Sequence, residues 1–261
     1  MSSSKPVLVG RRGSAMWITI NRPDRRNAIN NDVITGIGEG LQRAIDEDGV
    51  RVAVLTGAGD KAFCAGGDLQ QGTSVFGDQV QEPTTDFGRL ARFVHGQSLP
   101  MVARINGACV AGGMGLMALC DLAAAADHAR FGLPEARVGV FAMQVQVYFR
   151  NMILPRHVAE LMFTGELIGA ERAREIGLIN YIAPGAELDE KIDWICEKLS
   201  MNSPTAIRRG KYAMAAMQQM NFEEAIAFAE GQIMLAAMTP DAAEGLAAFT
   251  EKRKPRWQTE S

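Results

Sequence analysis

The chain has 261 residues, enough for one substantial core with a smaller appendage and too few for two comfortable full domains. Its 27 basic and 30 acidic residues are well mixed and leave a formal charge of −3, which argues against a general nucleic-acid or membrane binder and makes any anion site local. No apolar run approaches the ~18 residues of a membrane span, and residues 1–6 are too short and polar for a signal peptide, so a soluble cytoplasmic protein is expected.

In chain order, residues 7–9 and 16–20 are β-prone runs around Gly10, Arg11, Arg12 and Gly13, a hairpin pattern. Apolar Val33, Ile34, Ile37, Leu41, Ala44 and Ile45 then recur at helical steps, predicting a helix over 32–46 with Asn31 or Asp32 as its cap. A buried strand is expected at 52–56. The order repeats with a strand at 101–106, a helix at 111–119, a strand at 122–126 and a later strand at 179–182. Strands alternating with helices imply an α/β fold with mainly parallel pairing. Residues 70–87, rich in Gln, Gly, Thr, Ser and Asp without periodicity, are expected to form a mobile loop. Beyond about 188 the pattern is helical throughout, over 188–201, 204–217, 222–238 and 241–252. Ser203-Pro204 and Thr239-Pro240 mark two of the helix starts. The chain is therefore divided into a core, 1–187, and a helical oligomerisation region, 188–261. The Ala- and Met-rich surface of that region suits packing on another subunit or on its own core equally well. Cys64, Cys109, Cys120 and Cys196 are widely spaced, without a C-x-x-C pair, and read as reduced core residues.

Two glycine-rich segments carry the chemistry. In Lys61-Ala62-Phe63-Cys64-Ala65-Gly66-Gly67-Asp68-Leu69, the small residues Ala65, Gly66 and Gly67 let a ligand approach backbone N–H groups closely, although ordinary turns use glycine as freely. In residues 105–115, glycines join a strand to a helix whose first N–H groups have no helical partner, the makings of an oxyanion site. Phosphate cradles share that pattern. Neither segment spells the dinucleotide or P-loop fingerprint, which lowers both nucleotide readings.

Taken together these segments resemble the enoyl-CoA hydratase/isomerase (crotonase) family. The pieces run in order: Asn21-Arg22-Pro23 with Asn27-Ala28; the segment from Phe63 to Leu69; Asn106-Gly107 with Ala111-Gly112-Gly113 and Cys120-Asp121; Phe131-Gly132 with Pro134-Glu135. They continue through Leu161-Met162-Phe163-Thr164-Gly165, Ala173 and Gly177-Leu178-Ile179-Asn180 to Phe249 and Glu251-Lys252-Arg253. The resemblance implies a core of repeated β-β-α turns, a trimerising helical tail, and a homotrimer or a hexamer built as a dimer of trimers. It implies an acyl-CoA substrate, with no separate cofactor and no metal. Carried over by motif position, the oxyanion donors are the N–H groups of Gly67 and Gly112 and the acid/base is Glu135. The CoA moiety would meet Arg25, Arg26, Ala28, Ala65, Asp68 and Leu69, with Phe249 and Lys252 reaching in from the tail.

The chain departs from the family at one catalytic place. Classical hydratases carry a second glutamate in the helix after the Gly-Gly pair, and this chain has Gly115 there. One carboxylate suits a proton shuttle better than addition of water, so double-bond isomerisation of an enoyl-CoA is the favoured reaction. Hydration by Glu135 with a held water is the alternative, and a catalytically inert crotonase-like assembly subunit is an alternative of another class. Gly115 is further expected to enlarge the acyl pocket, with Phe141 and Met143 lining it. His95, His128 and His157 show neither metal spacing nor a nucleophile partner. The basic run 252–256 reads as a solvated tail.

Overall fold

The computed structural model describes residues 5–68 and 84–259. Its opening hairpin pairs β1 (Val7–Arg12) with β2 (Ala15–Ile20) antiparallel, Val7 opposite Ile20. Along β2 the side chains alternate between two cores: Met16, Ile18 and Ile20 enter one and Ala15 and Trp17 the other. A strand buried on both faces belongs in the middle of a layered fold. From β2 onward the pairing is parallel, through β3 (Val52–Gly57), β5 (Met101–Ile105), β7 (Leu122–Ala126) and β10 (Tyr181–Ala183), giving a six-stranded sheet in the order β1-β2-β3-β5-β7-β10.

A second sheet takes the strand that follows each central strand of the first. Its order is β4 (Ala62–Cys64), β6 (Ala108–Val110), β8 (Arg130–Gly132) and β9 (Ile168–Gly169), with only β9 antiparallel. Helices complete these units: β5 and β6 lead into α3 (Gly112–Ala118), and α2 (Asp86–Gly96) precedes β5. This is the repeated β-β-α architecture implied by the family resemblance.

The structure moves several sequence expectations. Helix α1 (Asn31–Asp46) is capped one residue earlier than expected, by Asn30, whose side chain accepts from Val33 N at 3.0 Å. Residues 70–83 of the expected loop lie outside the described residues, and its last two residues are already helical, with Thr85 capping α2. Helices α4 (Met143–Phe149), α5 (Pro155–Thr164) and α6 (Ala170–Glu175) were not anticipated; two have seven residues or fewer, too short to display a periodicity.

Packing also shifts the division expected at 187/188. In α7 (Leu188–Ser200), Leu188, Ile192, Ile195 and Cys196 lie against Trp17, Val54, Val102 and Ala124, closing the second face of the six-stranded sheet. The helix is part of the core. Only α8 (Pro204–Met217), α9 (Phe222–Ala237) and α10 (Pro240–Thr250) form an appendage, and among them just Ala248 is buried. Ser203 and Thr239 cap α8 and α10 as expected, accepting from Ala206 N and Ala242 N. The four cysteines are all free and buried; desolvation pushes the Cys64 thiol up to about 12, so it stays protonated at neutral pH. No helix among the described residues is long and apolar enough to cross a membrane.

Candidate functional site

Two buried asparagines build the platform on which the glycine segments rest. Asn27, 1 % exposed, donates to Ala58 O (3.0 Å) and Ala62 O (2.7 Å) and accepts from Arg22 N (3.0 Å). Asn106 donates to Gly59 O (2.7 Å) and Ala62 O (3.1 Å) and accepts from Gly57 N (3.3 Å). Together they satisfy carbonyls of the connection between β3 and β4 and of the first residue of β4. The side chain of Asp68 pairs with Arg22 at 2.7 Å, and Arg22 also donates to Ala28 O at 2.6 Å. That pair ties the end of the Gly66-Gly67 segment to the turn after β2.

On this platform the backbone adopts two unusual conformations side by side. Gly66 has φ +97° and Ala111 has φ +53°, the left-handed half of the map, which costs a non-glycine residue such as Ala111 about 1–3 kcal/mol. A Cβ on Gly66 would fall 2.7 Å from Ala111 Cβ and 3.5 Å from the Gly112 nitrogen; one on Gly112 would lie 3.8 Å from the Gly67 nitrogen. Gly113 is needed for the same closeness, since a Cβ there would be 2.3 Å from Cys64 O. The N–H groups of Gly67 and Gly112 are thus neighbours, and neither donates to an acceptor among the described residues. With seven residues α3 supplies aimed N–H groups more than a long dipole.

Glu135 stands nearby in the chain's path. Ala111 N donates to Gly132 O (2.9 Å), joining the end of β8 to the start of α3, and Glu135 follows on a single 3-10 turn, Pro134–Val138. Gly165 lets α5 end against that turn, where a Cβ would touch Pro134 Cα at 3.2 Å. The Glu135 Oε2 atom is buried and has no hydrogen-bond partner among the described residues, and desolvation raises its pKa above the ordinary 4.5. An unpaired buried carboxylate oxygen costs stability, which makes Glu135 a candidate functional residue.

The place of the missing glutamate is filled. A Cβ on Gly115 would meet Phe87 Cζ at 2.7 Å and Val145 Cγ2 at 3.1 Å. The enlarged acyl pocket expected at Gly115 is therefore absent: α2 and α4 deliver two apolar side chains into the notch. Phe141 packs against Phe163 with ring centroids 6.0 Å apart and lines a cleft of about 140 Å³ with Val158 and Met162, between α4 and α5. Met143 is 65 % exposed at the first turn of α4.

The residues expected to meet CoA are distributed unevenly. Arg25 and Arg26 are exposed beside the platform. The N–H groups of Ala28, Ala65 and Asp68 are already bonded to Arg25 O (3.0 Å), Arg26 O (3.1 Å) and Ile29 O (2.8 Å), and the Ala28 carbonyl already accepts from Arg22 (2.6 Å). Leu69 lies outside the described residues. Phe249 is 83 % exposed at the end of α10, and among the described residues no hydrogen bond or ion pair ties it or Lys252 to the glycine segments. Sequence reasoning missed Phe87 and Val145; the only signal was the small residue at 115.

Comparison with known proteins gives the family and the fold. A family model described as enoyl-CoA hydratase/isomerase matches residues 10–260. A Thermus thermophilus protein provisionally named an enoyl-CoA hydratase is 33 % identical over 249 residues, covering 94 % of this chain and 98 % of that one. Among solved structures, an enoyl-CoA hydratase from Bacillus anthracis is 30 % identical with a TM-score of 0.89, covering 97 % of this chain and 99 % of its own. One from Mycobacterium tuberculosis is 31 % identical with a TM-score of 0.87, covering 97 % and 98 %.

Proposed function

Since this chain belongs to the enoyl-CoA hydratase/isomerase family, we propose that it binds an enoyl-CoA thioester and moves its double bond, using Glu135 as the only acid/base. The thioester oxygen sits between the N–H groups of Gly67 and Gly112, which stabilise negative charge as it develops; removing one such donor typically costs about 3–4 kcal/mol of transition-state stabilisation. From a 3-enoyl-CoA, the Glu135 carboxylate takes a proton from the α-carbon. The electron pair spreads over the thioester oxygen and the alkene, and the same carboxyl returns the proton at the γ-carbon, giving the 2-enoyl-CoA. Neither nicotinamide, flavin nor metal enters this scheme.

The observation that carries the reading is the buried, unpartnered Oε2 of Glu135, held at a pKa above 4.5 by desolvation. A carboxyl with a raised pKa is a stronger base for a carbon acid and still returns its proton at neutral pH. Hydration is the second reading, favoured by the names of the relatives. Separate assays on a 2-enoyl-CoA and a 3-enoyl-CoA decide between them. Conversion of the 3-enoyl compound without formation of 3-hydroxyacyl-CoA is expected. Hydration of the 2-enoyl compound at ordinary enzymatic rates would reverse the assignment, and inactivity on both, with trimers intact, would favour an inert assembly subunit. Calorimetry should show binding of acetyl-CoA and none of NAD.

A further inference from the structure

Three residues far apart in the chain, one of them the departure from the family pattern at Gly115, meet in one place. Gly115 on α3 leaves a notch, Phe87 on α2 enters it, and Val145 on α4 closes its side. Their helices are fastened together. Thr85, the cap of α2, accepts from Gly88 N at 2.9 Å and from Gln144 Nε2 at 2.5 Å, and Tyr148 donates to Ala91 O at 3.2 Å. Gln144, Val145 and Tyr148 all belong to α4, so the hydrogen bonds fix the depth of Phe87 from both ends of its helix turn.

We propose that Phe87 determines which reaction this site performs, by occupying with an apolar ring the volume that a second carboxylate on α3 and its water would require. This rests on the assignment of Glu135 and the Gly67–Gly112 pair given above. With the notch dry, Glu135 is the one carboxyl among the described residues that this scheme uses to hand a proton to the bound thioester, and no water is held there to add to the β-carbon. Gly115 complements Phe87: a Cβ at 115 would lie 2.7 Å from the ring's Cζ, so a side chain there has to displace the ring.

The test is the ratio of hydration of a short 2-enoyl-CoA to isomerisation of the matching 3-enoyl-CoA, measured for the full chain and its variants. Phe87→Ala opens the notch and raises that ratio by about tenfold or more, while Phe87→Leu, which keeps an apolar wall, stays within about twofold of the parent. Gln144→Ala releases the clamp and shifts the ratio in the same direction as Phe87→Ala; it serves also if the truncation fails to fold. Gly115→Glu alone lowers the melting temperature, and Phe87→Ala combined with Gly115→Glu recovers it and hydrates faster than Phe87→Ala.

A folded Phe87→Ala or Gln144→Ala protein with the parental ratio would overturn the inference, as would Gly115→Glu with parental stability. If the parent isomerises through Glu135 and the ratio still ignores Phe87, this inference alone fails. If the parent neither binds nor turns over CoA thioesters, the functional assignment fails and takes this with it.

Discussion

Glu135 couples stability to activity through one oxygen atom. Burial holds its pKa above 4.5, so the folded chain binds that proton more readily than the unfolded chain does. For a carboxyl with a raised folded pKa the penalty is fully present above the folded value and vanishes as pH falls below the unfolded one. Glu135→Gln should therefore raise Tm at pH 7 to 8, with the gain shrinking toward pH 4.5, a trend that scanning calorimetry reads directly. The acid limb of kcat/KM should likewise lie above pH 4.5, because the base must be ionised. Gly66→Ala makes the complementary case on the oxyanion side. It places a Cβ at φ +97° and 2.7 Å from Ala111 Cβ, so we expect a loss of about 1–3 kcal/mol in urea unfolding together with lost turnover. Gly67, Gly112 and Glu135 could be singled out as candidates from the sequence because each sits in a dense local motif. Phe87 was not, since it lies at the edge of a polar stretch without periodicity and its partner Gly115 belongs to another element.

At the scale of elements, the site depends on irregular connections held by side chains rather than by strand ladders. Asn27→Ala would leave Ala58 O and Arg22 N without the Asn27 partner and Ala62 O with Asn106 alone, and an unsatisfied buried group costs about 1–3 kcal/mol. Chemical denaturation should show that loss, and turnover should fall with it, because the Gly66-Gly67 segment rests on the same carbonyls. The long elements were readable from sequence: α1 from its apolar spacing, α8 and α10 from Ser203-Pro204 and Thr239-Pro240. The second sheet was not. Its strands have two or three residues each, with Gly or Cys among them, and their pairing is decided by the glycines that let backbones approach, such as Gly107 against Lys61 and Gly113 against Cys64. Sequence spacing carries no record of such contacts.

For the molecule as a whole, α9 is the outstanding surface. It buries no residue in the single chain, although Ile233 is 68 %, Met234 69 % and Met238 at its end 82 % exposed. An apolar face of that kind suits an interface between copies, and light scattering should report a trimer or hexamer. Ile233→Glu with Met234→Glu should shift the protein toward monomer while leaving the core folded; a parental monomer at micromolar concentration would contradict the assembly. Phe249 and Lys252 would then approach a neighbour's site, so the same variant should bind CoA more weakly. The central claim is that Glu135 moves a proton on a thioester whose oxygen is held by Gly67 and Gly112. Its most direct test is solvent exchange: the protein is incubated with acetyl-CoA in heavy water, loss of the α-proton signal is followed by NMR, and binding is measured in parallel by calorimetry. The account predicts exchange by the parent and, for Glu135→Gln, unchanged binding with exchange slowed by about 10² to 10⁴. Parental exchange in Glu135→Gln, or no binding by the parent, would contradict it.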